Sequence, residues 1–144
     1  MIKIIIVAHG HFPNGILSSL ELIAGKQENI AVIDFLAGMS ADNVRSSLEA
    51  SLQGVEQALI LTDLLGGTPF NIASTVSVNH DDKKINVLSG LNLAMLMEAV
   101  FSREIVDNLE DLTEKVISSA QNGIVDFSTC IVGGEEDDQF EGGI

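Results

Sequence analysis

The sequence contains no tryptophan, no tyrosine and a single cysteine among its 144 residues. One cysteine cannot form an intramolecular disulfide, and without a Cys-x-x-Cys pair the chain offers no thiolate zinc site. No apolar run approaches the roughly 20 residues of a membrane span, and the first residues lack the pattern of a signal peptide. We therefore expect a cytoplasmic protein whose core needs no disulfide bonds.

Basic residues are scarce as well, with 7 lysines and arginines against 21 aspartates and glutamates and a net charge of −14. Such a charge repels the phosphates of nucleic acids, so we expect no nucleic-acid partner. Acidic residues dominate the C-terminus, and we interpret 133–144 as an acidic, flexible tail. Residues 1–132 are long enough to form one domain with its own core.

The sequence also lacks the motifs that hold nucleotides or metal ions. It has no Gly-x-x-x-x-Gly-Lys-Ser/Thr loop and no Gly-x-Gly-x-x-Gly turn, which argues against the usual nucleotide sites. It has neither the Gly-x-Ser-x-Gly turn of hydrolases nor a His-Glu-x-x-His helix. The His-Gly-His sequence at 9–11 has no third ligand nearby, so we expect no metal and no cofactor.

Strand and helix patterns alternate along the chain. Short apolar, β-branched runs predict strands at 2–7, 30–35, 57–62 and 84–89. Helical periods predict helices at 14–24, from Ser40, from Thr68, at 91–101 and from Leu109 to Gly123. This alternation predicts an α/β fold with one doubly wound, mainly parallel sheet and helices on both faces. A last strand is predicted at 124–132, at the sheet edge or exchanged with another subunit.

Two of the predicted loops carry polar residues that could take part in a reaction. His9 ends the first strand and Asp63 follows the third, so the two side chains would lie within hydrogen-bonding reach if these strands are neighbours. A carboxylate that holds one ring nitrogen of a histidine leaves the other free as a nucleophile. His11, in the same turn as His9, is interpreted as a possible wall of the site.

The second loop continues with Gly66, Gly67 and Thr68. Two glycines allow backbone N–H groups to turn inward, and the helix beginning at Thr68 adds further donors and the positive end of its dipole. Together with His9 this pattern suits a phosphoryl group carried on histidine. Each part also has a structural interpretation, since strand-end histidines and paired glycines are common in ordinary turns.

Four segments together resemble the enzyme IIA component of the mannose-class sugar phosphotransferase system of bacteria, a class that includes mannose, fructose, sorbose and N-acetylgalactosamine systems. They are "IIIVAHGHFPNGILSSLELIAG", "VIDF", "LILTDLLGGTPFNIAS" and "VLSGLNLAMLMEAV". The resemblance implies a phosphocarrier that accepts a phosphoryl group on Nε2 of His9. It also implies that Asp63 orients Nδ1 and that Gly66, Gly67 and Thr68 cradle the phosphoryl group.

The same resemblance implies the partners. The phosphorylated histidine carrier protein would be the donor and the IIB component the acceptor, which phosphorylates sugar entering through a IIC/IID permease. The chain would then be peripheral to the membrane permease. A homodimer with exchanged C-terminal strands is also implied, which would account for the predicted strand at 124–132.

The chain departs from some family members directly after the aspartate, where they have threonine and tryptophan and this sequence has Leu64 and Leu65. These leucines would line the site as an apolar wall. The form "TDLLGGTPF" resembles the N-acetylgalactosamine/galactosamine branch more than the mannose branch. Three alternatives stay open: an aspartyl-phosphate receiver domain, an equivalent phosphocarrier that feeds a dihydroxyacetone kinase, and a non-catalytic anion-binding module.

Overall fold

The structure, a computed structural model, describes residues 1–130. Its strands are β1 (Lys3–His9), β2 (Ile30–Phe35), β3 (Gln57–Thr62) and β4 (Lys84–Leu88). Its helices are α1 (Phe12–Ala24), α2 (Ala41–Ser51), α3 (Thr68–Asn79), α4 (Leu93–Ser102), α5 (Leu109–Asn122) and α6 (Phe127–Cys130). All pairs between the described strands are parallel, in the order β2-β1-β3-β4, which confirms the predicted α/β fold with a parallel sheet.

The central strand β1 is buried on both faces of the sheet, as its continuous apolar sequence predicts. Because side chains alternate along a strand, Ile4 and Ile6 pack with α1, α4 and α5, whereas Ile5 and Val7 pack with α2 and α3. Burying each of these side chains contributes roughly 1.5–3 kcal/mol. The helices therefore cover both faces, and the order of the strands fixes which loops meet at the carboxyl edge.

The starts of α1 and α4 each differ from the predictions by two residues, and the residues at the first turn explain the differences. α1 begins at Phe12 rather than at 14, because Pro13 fits the first turn of a helix. α4 begins at Leu93 because the side chain of Asn92 accepts a hydrogen bond from the N–H of Met95. The predicted start at Ser40 is confirmed by a capping box between Ser40 and Asn43.

The predicted strand at 124–132 is wrong over the residues that the structure describes. Phe127–Cys130 instead forms the short helix α6. Asp126 explains the helical turn, because its side chain accepts hydrogen bonds from the N–H and hydroxyl of Ser128, and its carbonyl accepts one from the N–H of Thr129. The end of that segment, 131–132, and the predicted tail, 133–144, lie outside the described residues.

His80 connects the ends of two helices at the amino edge of the sheet. It follows α3, and its Nε2 lies 2.6 Å from Oε2 of Glu49 in α2. The hydrogen bond with Glu49 raises the pKa of His80 and outweighs the opposing effect of burial, and the charge of Glu49 and the contact with Asp82 add to the rise. The imidazolium of His80 therefore stabilises the packing of α2 against α3.

Replacing His80 by glutamine should destabilise the protein more at about pH 5.5 than at about pH 9. Because the folded-state pKa is raised, the stabilisation is fully present below the unfolded pKa of about 6.5 and is lost as pH rises through the folded pKa. Urea denaturation of both proteins at the two pH values measures the difference. Glu49→Gln should show the same pH dependence, and an equal loss at both values would contradict the assignment.

Candidate functional site

His9 and Asp63 meet where β1 and β3 end. Val7 pairs with Thr62 in the register of the two strands, so His9 at the end of β1 lies beside the residue that follows β3. Nδ1 of His9 is 2.9 Å from Oδ2 of Asp63. The backbone N–H of His9 donates a second hydrogen bond, of 3.1 Å, to the same oxygen. The carboxylate thus holds both the ring and the main chain of His9.

The charge of Asp63 determines which nitrogen of His9 is available. Burial works against the charged carboxylate, but the hydrogen bonds from the side chain and backbone of His9 outweigh it and lower the pKa of Asp63. Asp63 is therefore an anion at neutral pH, and it accepts the Nδ1 proton of His9. In the neutral ring this leaves a lone pair on Nε2. The His9 side chain is 46% exposed, so a reactant can reach it.

The glycine loop lies directly against the His9 ring. A Cβ on Gly67 would be 2.9 Å from Cε1 of His9, so this contact requires glycine. Gly66 has a φ of +79°, a left-handed conformation that the absence of a side chain allows. Gly67 is the N-cap of α3 and Thr68 is its first residue. The loop therefore brings the N-terminus of α3, with its free N–H groups, next to the imidazole.

The His9 ring also contacts an aromatic residue that the sequence did not single out. Phe35 ends β2, on the other side of β1 from Asp63, and its ring centroid lies 5.7 Å from that of His9. The backbone carbonyl of Phe35 accepts a hydrogen bond of 2.8 Å from Gly10. β2 therefore fixes the turn that follows His9.

His11 has a carboxylate partner of its own. Nδ1 of His11 is 3.1 Å from Oδ2 of Asp34, in β2. Asp34 also accepts hydrogen bonds from the backbone and side chain of Asn14, at 3.3 and 2.8 Å. Sequence reasoning missed Asp34, although it is the one charged residue in the run "IAVIDF" and lies close to the carboxyl end of its strand.

Leu64 and Leu65, predicted as an apolar wall, are 61% and 71% exposed. The N–H of Leu64 donates to Oδ1 of Asp63, and its carbonyl accepts a hydrogen bond from Gly67, which closes the loop. Phe12, beside His11, is also exposed, at 41%. These side chains give the carboxyl edge an apolar outer surface.

Histidines and carboxylates occur at this edge as pairs. Residues 1–130 contain no group of three or more histidine, cysteine, aspartate or glutamate side chains arranged to hold a metal ion. Among the same residues no helix is long and apolar enough to cross a membrane. The chemistry that the site offers is that of an oriented imidazole beside a loop of backbone donors.

Comparison with known proteins gives consistent matches. A family model described as "PTS system fructose IIA component" matches residues 3–117. The phosphotransferase system component EIIA from Streptococcus agalactiae is 63% identical, with a TM-score of 0.89 over 90% of this chain and 100% of that chain. The mannose/sorbose specific IIA subunit from Enterococcus faecalis is 30% identical, with a TM-score of 0.78 over 87% of this chain and 93% of that one.

A longer relative shares the same region. The mannose-specific EIIAB component of Escherichia coli is 31% identical over 126 residues, which is 85% of this chain and 38% of that protein. The chain therefore spans less than half the length of this relative.

Replacing Gly67 by alanine should displace the His9 ring, whereas replacing Gly66 should strain only the backbone. The added Cβ at 67 would overlap Cε1 of His9, while at 66 it would meet open space in a left-handed conformation that costs about 1–2 kcal/mol. Nitrogen NMR of the imidazole should therefore change for Gly67→Ala and not for Gly66→Ala. An unchanged His9 signal in Gly67→Ala would show that the loop does not position the ring.

Proposed function

The chain belongs to the mannose-class family of phosphotransferase-system IIA components, and on this premise we propose that it carries the phosphoryl group on Nε2 of His9. Proteins of this family are phosphotransferases with a phosphohistidine intermediate. The observation that carries the assignment is the 2.9 Å contact between Nδ1 of His9 and Asp63, since it fixes the tautomer with Nε2 as the nucleophile.

In the proposed transfer the phosphorus–nitrogen bond of the donor breaks as Nε2 of His9 forms the new one. The donor imidazole keeps the electron pair of the broken bond, and the Nδ1 proton of His9 stays on the hydrogen bond with Asp63. The loop of Gly66, Gly67 and Thr68 is the proposed cradle, in which the N–H groups of Gly66 and Thr68 donate to the phosphoryl oxygens, because the N–H of Gly67 already donates to the carbonyl of Leu64. Positioning and charge neutralisation are the main requirements of such a transfer.

The proposed donor is the phosphorylated histidine carrier protein, and the proposed acceptor is the IIB component. IIB would phosphorylate a sugar entering through the IIC/IID permease, which places this chain in the cytoplasm, peripheral to the permease. Support for this order comes from the family, whose IIA components pass phosphate between these two proteins. We propose the N-acetylgalactosamine/galactosamine branch from the resemblance of the form "TDLLGGTPF" and of the acidic ending "EGGI", whereas the mannose/sorbose IIA subunit and the mannose EIIAB component compared above are named for other sugars.

We also propose a homodimer in which the C-terminal segment, 124–132, is exchanged with that of a second copy, and strand pairing there would require the short helix Phe127–Cys130 to unfold. β4 has β3 on one side and no strand of the described sheet on the other, so its backbone groups are available for pairing. A largely apolar cleft of about 360 Å³ lies beside it, and its lining includes Leu88, Ile117 and Ile124. Because Ile124 belongs to the segment itself, the segment already borders this cleft, and an exchange would cover the edge of β4 beside it.

His9→Ala should abolish phosphorylation by phosphoenolpyruvate, enzyme I and the histidine carrier protein. Asp63→Asn should still be phosphorylated, but roughly 10- to 100-fold more slowly, because the ring loses the group that orients it. Mass spectrometry of the intact protein measures one added phosphoryl group, which should be labile in acid and stable in base. His80→Gln, which alters a remote histidine–carboxylate pair, should behave as the wild type.

Phosphorylation of His9→Ala at the wild-type rate would exclude His9 as the carrier. An unmodified wild-type chain that binds inorganic phosphate would favour the anion-binding alternative. Transfer from the phosphorylated chain to dihydroxyacetone kinase subunits in place of IIB would favour the other alternative.

Truncation should locate the dimer contact. Deleting 133–144 should leave a dimer, because the proposed exchange needs only residues up to 132, whereas deleting 124–144 should give a monomer. Light scattering coupled to gel filtration measures the mass of each form. A monomeric wild type, or a dimer that persists in the longer deletion, would rule out the exchange.

A further inference from the structure

We infer that His11, oriented by Asp34, supplies the positive charge of the phosphoryl-transfer site and donates a hydrogen bond from Nε2 to the phosphoryl group in transit. The inference rests on the proposed function of His9. It concerns a residue that the family resemblance does not assign.

Cationic side chains are scarce in the loops at the carboxyl edge. The loops at the carboxyl edge, 8–14, 36–40, 63–68 and 89–92, contain no lysine or arginine. A phosphoryl group brings about two negative charges to an edge where Asp34 and Asp63 already lie. Among the side chains of these loops only His9 and His11 can become cations, and His9 must be neutral to act as the nucleophile.

Asp34 orients the ring of His11. Its contact with Asp34 engages Nδ1, so Nε2 is the nitrogen left to face a partner. Asp34 is itself fixed by both hydrogen bonds from Asn14. Burial works against the charged carboxylate, but the hydrogen bonds from Asn14 and His11 outweigh it and lower the pKa of Asp34. Nδ1 of His11 thus lies against an anionic carboxylate.

His9 and His11 lie on either side of one turn at the end of β1. Gly10 separates them, and its φ of +59° and its hydrogen bond to Phe35 hold the turn. His9 pairs with a residue after β3, and His11 with one in β2, so the two pairs flank the end of β1. The His11 side chain is 82% exposed, and a donor histidine that approaches this edge would bring the phosphoryl group past it.

A second phosphoryl acceptor would have the same His–Asp geometry, but the structure favours a cation. The glycine loop and the N-terminus of α3 contact the His9 ring, and no corresponding loop is seen at His11 in the described part of the chain. A phosphoryl group on His11 would therefore lack the donors that stabilise one on His9. The partner that His11 does have is a carboxylate, which suits a positively charged side chain at this position.

The test compares His11→Lys, His11→Gln and His80→Gln in single-turnover transfer from the phosphorylated histidine carrier protein. His11→Gln keeps a donor but loses the charge, so its rate at saturating donor should fall roughly 10- to 100-fold. His11→Lys keeps the charge and can reach Asp34, so its rate should stay within about threefold of the wild type. His80→Gln should match the wild type, and the half-saturating donor concentration should change little in any variant.

A double-mutant cycle tests the role of Asp34 as a positioning residue. Asp34→Asn should slow transfer in the wild-type background and have no further effect in His11→Gln. Thermal unfolding of each variant shows whether the fold is intact, which separates a local role from damage to the start of α1.

Each other outcome overturns the inference. Equal rates for His11→Gln and the wild type would exclude a role in transfer, and a change confined to the half-saturating concentration would make His11 a docking residue. Phosphorylation of His11 in His9→Ala would make it an acceptor. If the wild type is not phosphorylated at all, the proposed function fails first, so the two failures are distinguishable.

Discussion

The parallel pairing of β1 with β3 is the constraint on which the site depends. Their side chains are almost entirely apolar and buried on both faces of the sheet, so a slip of one residue would place each side chain in the opposite core, where it would not fit the packed helices. The register is therefore strongly determined by packing. Through it, His9 and Asp63 come into contact although 54 residues separate them. Hydrophobic burial thus determines a polar geometry that no local sequence signal could provide.

The same sheet explains how an acidic protein can accommodate a phosphoryl group. The net charge of −14 opposes the approach of an anion, and oriented backbone dipoles at the site offset this repulsion locally. The loop at Gly66 and Gly67 places the N-terminus of α3 beside the imidazole, where unpaired N–H groups act at short range. In the proposed transfer, donors that are already in position would need no reorganisation when the phosphoryl group arrives.

Most of the fold followed from the sequence because its patterns are those of buried parallel strands and amphipathic helices. The proximity of His9 to Asp63 followed as well, since carboxyl ends of neighbouring parallel strands share one edge. Asp34 was missed because a single acidic residue inside an apolar strand carries no periodic signal. The C-terminal segment was misjudged for a different reason: its β-branched composition predicts a strand, but the hydrogen bonds of Asp126 favour a helical turn.

Each carboxylate lies far along the chain from the histidine it contacts, and this separation has a consequence for folding. Asp34 is 23 residues from His11 and Asp63 is 54 residues from His9, so both pairs depend on loop closures that only the packed sheet makes favourable. A nascent chain that has emerged only as far as β2 holds both histidines but lacks the glycine loop and Asp63. Under the proposed function, such a chain would react with the donor much more slowly than the folded protein. If His9 is the carrier, efficient phosphorylation would therefore require the completed sheet, and incomplete chains would take little phosphate from the donor.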